Sequence, residues 1–269
     1  MMHAFLRKWF LLAGVSLLSF GPPALSFAQA ESARPKLVML IAEDEYETAR
    51  TLPAFAARHL GQDFHVVVLE GAGGLDDTTF NRISELDTAD ILLISVRRRP
   101  LPPGQLAVIR RYVESGKPIV GIRTASHPFS PAKGRTLPAG YAQWLTWDAD
   151  VIGGNYSNHH GHGPILRATA AQPNHVLLEG VPLPFESKAW LYRNTPLRAN
   201  TDLVLMGAIP GQPAEPLAWT YQRPDGGKSF YVALGLPSDF AQPAFTRLLR
   251  NGIYWAAGLK STKPGERSR

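Results

Sequence analysis

The residues able to do chemistry in this 269-residue chain fall in four short clusters, the first three each directly after an apolar run. They are Glu43-Asp44-Glu45-Tyr46, then Arg97-Arg98-Arg99, then Arg123-Thr124-Ala125-Ser126-His127, and last a glycine loop carrying Asn155, Tyr156, His159, His160 and His162. A carboxylate such as Glu43 or Glu45 can move a proton as a base, or as an acid if its pKa is raised. Arginine is a permanently charged, forked donor, so Arg123, Arg97 and Arg98 suit a carboxylate, a phosphate or a developing enolate or alkoxide oxygen. His127 or His160 can polarise a substrate or ligate a metal. Tyr46, Thr124, Ser126, Asn155, Tyr156, His159, His160 and, further on, Asp239 complete the set of candidate substrate contacts. Brought together, these groups fit proton abstraction, isomerisation, elimination or hydrolysis.

Each candidate also has a structural reading. Arg123 suits a ligand contact and, equally, an ion pair with Glu43 or Glu45 that holds two loops. The run Arg97-Arg98-Arg99 reads as a solvated loop with one inward member. The acids after the first apolar run precede a helix, where capping and the helix dipole account for at least one of them. Adjacent histidines on a glycine loop point to different sides, so His159, His160 and His162 do not readily share one metal. His160 and His162 are the candidate ligands for a divalent ion such as zinc, and their spacing matches no tight ligand motif. Trp144, Trp147 and Tyr156 can stack on a sugar ring or pack their loop onto the body; Trp190, Trp219 and Trp255 read as core.

Stepping the clusters into register requires strands that end at one edge. Residues 36–42, 64–69, 90–96 and 119–122 are short apolar runs of the kind buried in a parallel sheet. Helical patterns at 47–60, 78–85 and 103–115 alternate with them, which argues for right-handed βαβ crossovers. In such sheets ligands bind beyond the carboxyl ends of the strands. Residues 130–163 form an elaborated insertion rich in proline, glycine and aromatics. Further strands are expected at 164–169, 203–207, 216–221 and 229–234, with a helix or turn at 175–181. Pro224-Asp225-Gly226-Gly227 makes the last two strands a hairpin, and a closing helix spans 243–257 before Gly258.

Composition narrows the function classes. Arg7 and Lys8, an apolar stretch to Phe20 and the small-x-small site Ala28-Gln29-Ala30 read as a secretory signal over residues 1–30. An exported chain, periplasmic or extracellular, with no membrane span after cleavage is expected. The chain has no cysteine, which excludes disulfides, thiol catalysis and cysteinyl metal sites. Of 28 basic residues, two lie in the leader and four, Lys260, Lys263, Arg267 and Arg269, in the basic tail 259–269. The body is nearly neutral, so nucleic acid is not an expected partner. Self-association is left open.

The segment from Pro118 to Arg123, Pro-Ile-Val-Gly-Ile-Arg, resembles the nucleophile elbow of class I glutamine amidotransferases, with Arg123 in the cysteine's place. Thr124-Ala125-Ser126-His127, Gly153-Gly154-Asn155-Tyr156-Ser157-Asn158-His159-His160-Gly161, Leu191-Tyr192-Arg193, Pro216-Leu217-Ala218-Trp219-Thr220, Gly226-Gly227-Lys228-Ser229-Phe230-Tyr231-Val232-Ala233-Leu234-Gly235 and Asn251-Gly252-Ile253-Tyr254-Trp255-Ala256 together resemble the ThuA-like, trehalose-utilisation family. The resemblance implies an α/β, flavodoxin-like three-layer sandwich of the class I glutamine amidotransferase-like kind, with a mostly parallel central sheet, over residues 31–258. It also implies a link to carbohydrate metabolism. Leu236 stands where the family commonly has histidine, so neither nucleophile nor base of glutamine hydrolysis is present. The function expected is action on a saccharide or oxidised saccharide as a lyase, isomerase or hydrolase; the alternative is a non-catalytic carbohydrate-binding or assembly protein.

Overall fold

The computed structural model describes residues 34–161 and 163–261. The expected leader, His162 and residues 262–269 lie outside them. From residue 34 onward the chain forms one unit.

β1 (Lys36–Ala42) is apolar without alternation because both its faces are covered. It leads into α1 (Thr48–His59), β2 (His65–Ala72), the two-residue β3 (Thr79–Phe80) and β4 (Ile91–Val96). Then come α2 (Pro103–Glu114), β5 (Ile119–Ile122), β6 (Asn158–His159), β7 (Leu166–Ala170), β8 (Phe185–Ser187) and β9 (Tyr192–Arg193). β10 (Thr201–Ala208), β11 (Glu215–Gln222), β12 (Lys228–Val232), α3 (Pro237–Phe240) and α4 (Pro243–Ala256) complete the order. Ten strands make one sheet in the order β3-β2-β1-β4-β5-β12-β11-β10-β7-β8, and β6 pairs with β9 apart from it.

The heart of the sheet, β2-β1-β4-β5-β12, is parallel, as expected for βαβ units. The chain moves from β1 to β2 in one direction along the sheet and from β4 to β5 in the other. Right-handed crossovers therefore put α1 and α2 on opposite faces. The reversal falls between β1 and β4, and the open crevice at their carboxyl ends is where such sheets take ligands. The antiparallel flank β11-β10-β7-β8 follows from the Pro224-to-Gly227 turn, which returns β11 as a hairpin with β12.

Packing fixes the layers. α4 buries Phe245, Leu248, Leu249 and Ile253 completely, each worth about 1.5–3 kcal/mol of transfer from water. Gly252 lets α4 lie directly on β12, since a Cβ there would stand 2.1 Å from the Phe230 ring. Phe240 of α3 joins α1 to α4 through edge contacts with Phe55 and Phe245.

The short helix expected at 78–85 is instead β3 followed by a 3-10 turn, Ile83–Thr88. The reason is a side chain from α2. Gln105 accepts from the Phe80 amide at 2.8 Å and donates to its carbonyl at 3.1 Å, doing the work of a neighbouring strand. The strands β6, β8 and β9 and the single helical turn α3 were not expected; they are too short for any periodicity to show.

Candidate functional site

The crevice is assembled from three loops that bond to one another. After β4, the Arg97 amide donates to Ala42 O, the Arg98 amide to His127 O at 3.1 Å and the Arg99 amide to Pro128 O at 2.7 Å. Arg98 has a φ of 49° and Arg123 a φ of 45°, the left-handed region that costs a non-glycine residue energy unless its surroundings impose it. At the elbow the 3-10 turn Arg123–Ser126 is wholly buried. Tyr231 Oη donates to Arg123 O at 2.6 Å, and Trp147 Nε1 donates to Ala125 O at 2.8 Å.

Arg123 pairs with neither Glu43 nor Glu45. Its guanidinium lies between the rings of Tyr46 and Tyr192, 4.4 and 4.5 Å from their centroids. One nitrogen donates to Ala233 O at 2.8 Å, and Nε is buried without a partner. Only 1% of the residue is exposed, and it is not among the residues that line the cavity beside the elbow.

Glu43 is a cap. Its carboxylate accepts from the amides of Glu45, Tyr46 and Thr48 and from the Thr48 hydroxyl, at 2.6 to 2.8 Å. The residue before α1, Glu47, makes no side-chain cap of its own, and Glu43 takes its place. With its lone pairs committed, Glu43 is a positioning group and not a free base. Glu45 is exposed and pairs with Arg97 at 2.6 Å, while Asp44 pairs with Arg99 at 2.5 Å. Arg98 carries no ion pair among the described residues.

Beside the elbow lies a cavity of about 240 Å³ lined by Arg98, Ser126, His127, Trp144, Asp148 and Tyr156, among others. His127 stacks on Tyr156 with centroids 4.4 Å apart and planes within 16°, and Ser126 Oγ is 2.9 Å from its Nδ1. Burial, then the charges of Arg98, Arg97 and Arg123, hold the His127 pKa well below its ordinary value, so the ring is neutral.

Asp148 was not among the expected site residues. Its Oδ2 accepts from the Tyr156 amide at 2.5 Å, while its Oδ1 is shut from solvent with no partner. Gly154 makes the room, since a Cβ there would stand 2.6 Å from Oδ1. Burial carries the Asp148 pKa up to about 7, opposed only by the Tyr156 amide. A carboxyl with its pKa near neutrality, among the residues that line a cavity, is a candidate proton carrier. Its signal in the sequence was faint: one of two acids shortly after Trp147, five residues before a Gly-Gly pair.

The remaining candidates scatter. Thr124 is buried with its hydroxyl unpartnered. Asn155 is exposed and donates to Thr195 O. His159 tilts against Trp190, and His160 Nε2 lies 3.6 Å from Glu215 Oε1, so the two histidines have different neighbours. Neither lines the cavity. Among the described residues no three histidine or acidic side chains could hold a metal, and His162 lies outside them. Asp239 is fully buried and accepts from Ser187 Oγ and the amides of Gly235 and Leu236. It ties α3 to β8 and does not face the cavity. Trp144 and Trp147 pack the insertion onto the elbow, edge to face with each other.

The family described as "ThuA: Trehalose utilisation" matches residues 38–256. Among solved structures, a putative ThuA-like protein from Bacteroides uniformis ATCC 8492 is similar at 15% identity and a TM-score of 0.61, over 88% of this chain and 95% of that one. Another, from Parabacteroides merdae ATCC 43184, is similar at 14% identity and 0.56, over 86% and 93%. A β-galactosidase from Bacillus circulans sp. alkalophilus shares the fold at 11% identity and 0.53, over 84% of this chain and 32% of its own. No curated protein matches.

Proposed function

The chain belongs to the ThuA, trehalose-utilisation family, and on that premise we propose that it binds an oxidised saccharide in the cavity beside the elbow and alters it by proton transfer. The observation that carries this reading is Asp148, a residue lining the cavity whose carboxyl has a pKa of about 7 and one oxygen without a hydrogen-bond partner.

Above pH 7 the Asp148 carboxylate takes a proton from a carbon next to the substrate carbonyl. The C–H electron pair forms an enolate, whose negative charge lies in the field of Arg98, Arg97 and buried Arg123. Return of the proton to a neighbouring carbon is isomerisation; loss of a leaving group instead is elimination. Neutral His127, backed by Ser126 Oγ, supplies a hydrogen bond to a substrate oxygen. Glutamine hydrolysis is no part of this, since Arg123 and Leu236 stand at the nucleophile and base positions.

Export belongs to the same proposal. It rests on the charged and apolar leader, the Ala28-Gln29-Ala30 site and the absence of cysteine. Among the described residues no helix is long and apolar enough to cross a membrane.

The test is NMR of the mature protein with disaccharides, their 3-oxo forms and uronate-containing sugars. New product signals are expected from at least one oxidised sugar and from no unmodified one. Saturable binding with no product would instead make this a carbohydrate-binding protein.

A further inference from the structure

We infer that the cavity selects saccharides bearing an anionic group, and that Arg98 is the residue that reads it. This deepens the proposed function and rests on it. The argument starts from charge balance in the loop after β4. Three consecutive arginines stand there and two acids face them. Glu45 is taken by Arg97 and Asp44 by Arg99. Arg98 is left with no carboxylate and no side-chain hydrogen bond among the described residues, and it is the arginine that lines the cavity.

It lines that cavity together with His127 and Tyr156, and of the charges acting on those two rings its own is the largest. The positive φ of Arg98 and its amide bond to His127 O hold its backbone against the elbow. Asp148 is the one acid among the residues lining the cavity, and with its pKa raised to about 7 it offsets the guanidinium only in part at neutrality. A forked, weakly hydrated cation against stacked rings is a site for a planar anion.

Size limits the ligand. The cavity's 240 Å³ falls below the roughly 300–1,000 Å³ that takes drug-sized molecules, so it admits one sugar residue. The anionic group is a carboxylate, as in a uronate, or a phosphate ester, both of which meet the same guanidinium.

Calorimetric titration of the mature protein with glucuronate, glucose 6-phosphate and glucose, at 50 and 500 mM NaCl, tests this. At least one anionic sugar is expected to bind about tenfold or more tightly than glucose, with the gap narrowing at high salt. Whichever of the two binds more tightly names the source of the anion. Arg98→Gln, checked for folding by circular dichroism, is expected to erase the preference while leaving the weak binding of glucose. Equal affinity for all three sugars, or a preference that survives in Arg98→Gln, overturns the assignment of Arg98 and leaves the saccharide reading standing. No binding of any of the three overturns the anionic preference, while the oxo-sugar reading stands or falls by its own NMR test.

Discussion

Replacing Asp148 by asparagine separates the cost of this residue from its use. Burial raises the carboxyl from its ordinary 3.8 to about 7, so between those values the folded protein holds a proton that the unfolded chain has lost. Stability from this group is therefore fully present below pH 4, falls as pH rises and levels off above 7. Each pH decade in that window is worth about 1.4 kcal/mol. From pH 5 to pH 8 the wild type should lose about 2–3 kcal/mol that Asp148→Asn keeps, because the amide has no charge to bury and can still accept from the Tyr156 amide. The residue is not wholly sealed from water, so the lower end of that range is expected. Urea unfolding of both proteins at pH 5, 6, 7 and 8 measures the difference, and other titrating groups cancel between them. A difference that does not change with pH would show that Asp148 ionises normally, and the proton-transfer role would fall with it.

Three more outcomes follow from the same geometry. Turnover by the wild type should rise with pH through about 7, and Asp148→Asn should lower kcat by about 10²–10⁴-fold, measured on whichever oxidised sugar gives product. Glu43→Ala removes the acceptor of the Glu45, Tyr46 and Thr48 amides; a loss of about 2–4 kcal/mol in stability is expected from thermal denaturation, and an unchanged Tm would refute its capping role. Arg123→Ala empties the slot between Tyr46 and Tyr192 and should cost about 3 kcal/mol or more in urea unfolding, with an effect on kcat that follows the field rather than a lost contact.

What the sequence told depended on how regular the local structure is. β1, β4 and β5 are short apolar runs buried on both faces, so their ends, and the clusters they deliver, were visible. That Arg97, Arg98 and Arg99 would divide into two ion-paired members and one free member was not, because it depends on which way each side chain leaves a loop with a positive φ. Glu43 was legible as an acid at a strand end, and the weighed alternative of capping is the one its hydrogen bonds support. Asp148 escaped notice because it begins a π-helical turn, Asp148–Ile152, inside an insertion without periodicity. Its perturbation comes from burial, which composition does not reveal. The Tyr46–Arg123–Tyr192 stack joins residues from three distant segments, and no spacing in the chain announces it.

The most direct test of where the ligand sits uses the tryptophan indoles as reporters. Trp147 lines the cavity and donates its indole proton to Ala125 O at the elbow, whereas Trp219, bonded to Ile152 O, lies in the sheet. Titrating ¹⁵N-labelled Asp148→Asn protein with the sugar that the wild type turns over should shift the Trp144 and Trp147 indole signals saturably and leave Trp219 and Trp255 in place. Saturable shifts confined to other indoles, with Trp144 and Trp147 unmoved, would contradict the assignment of this cavity as the site.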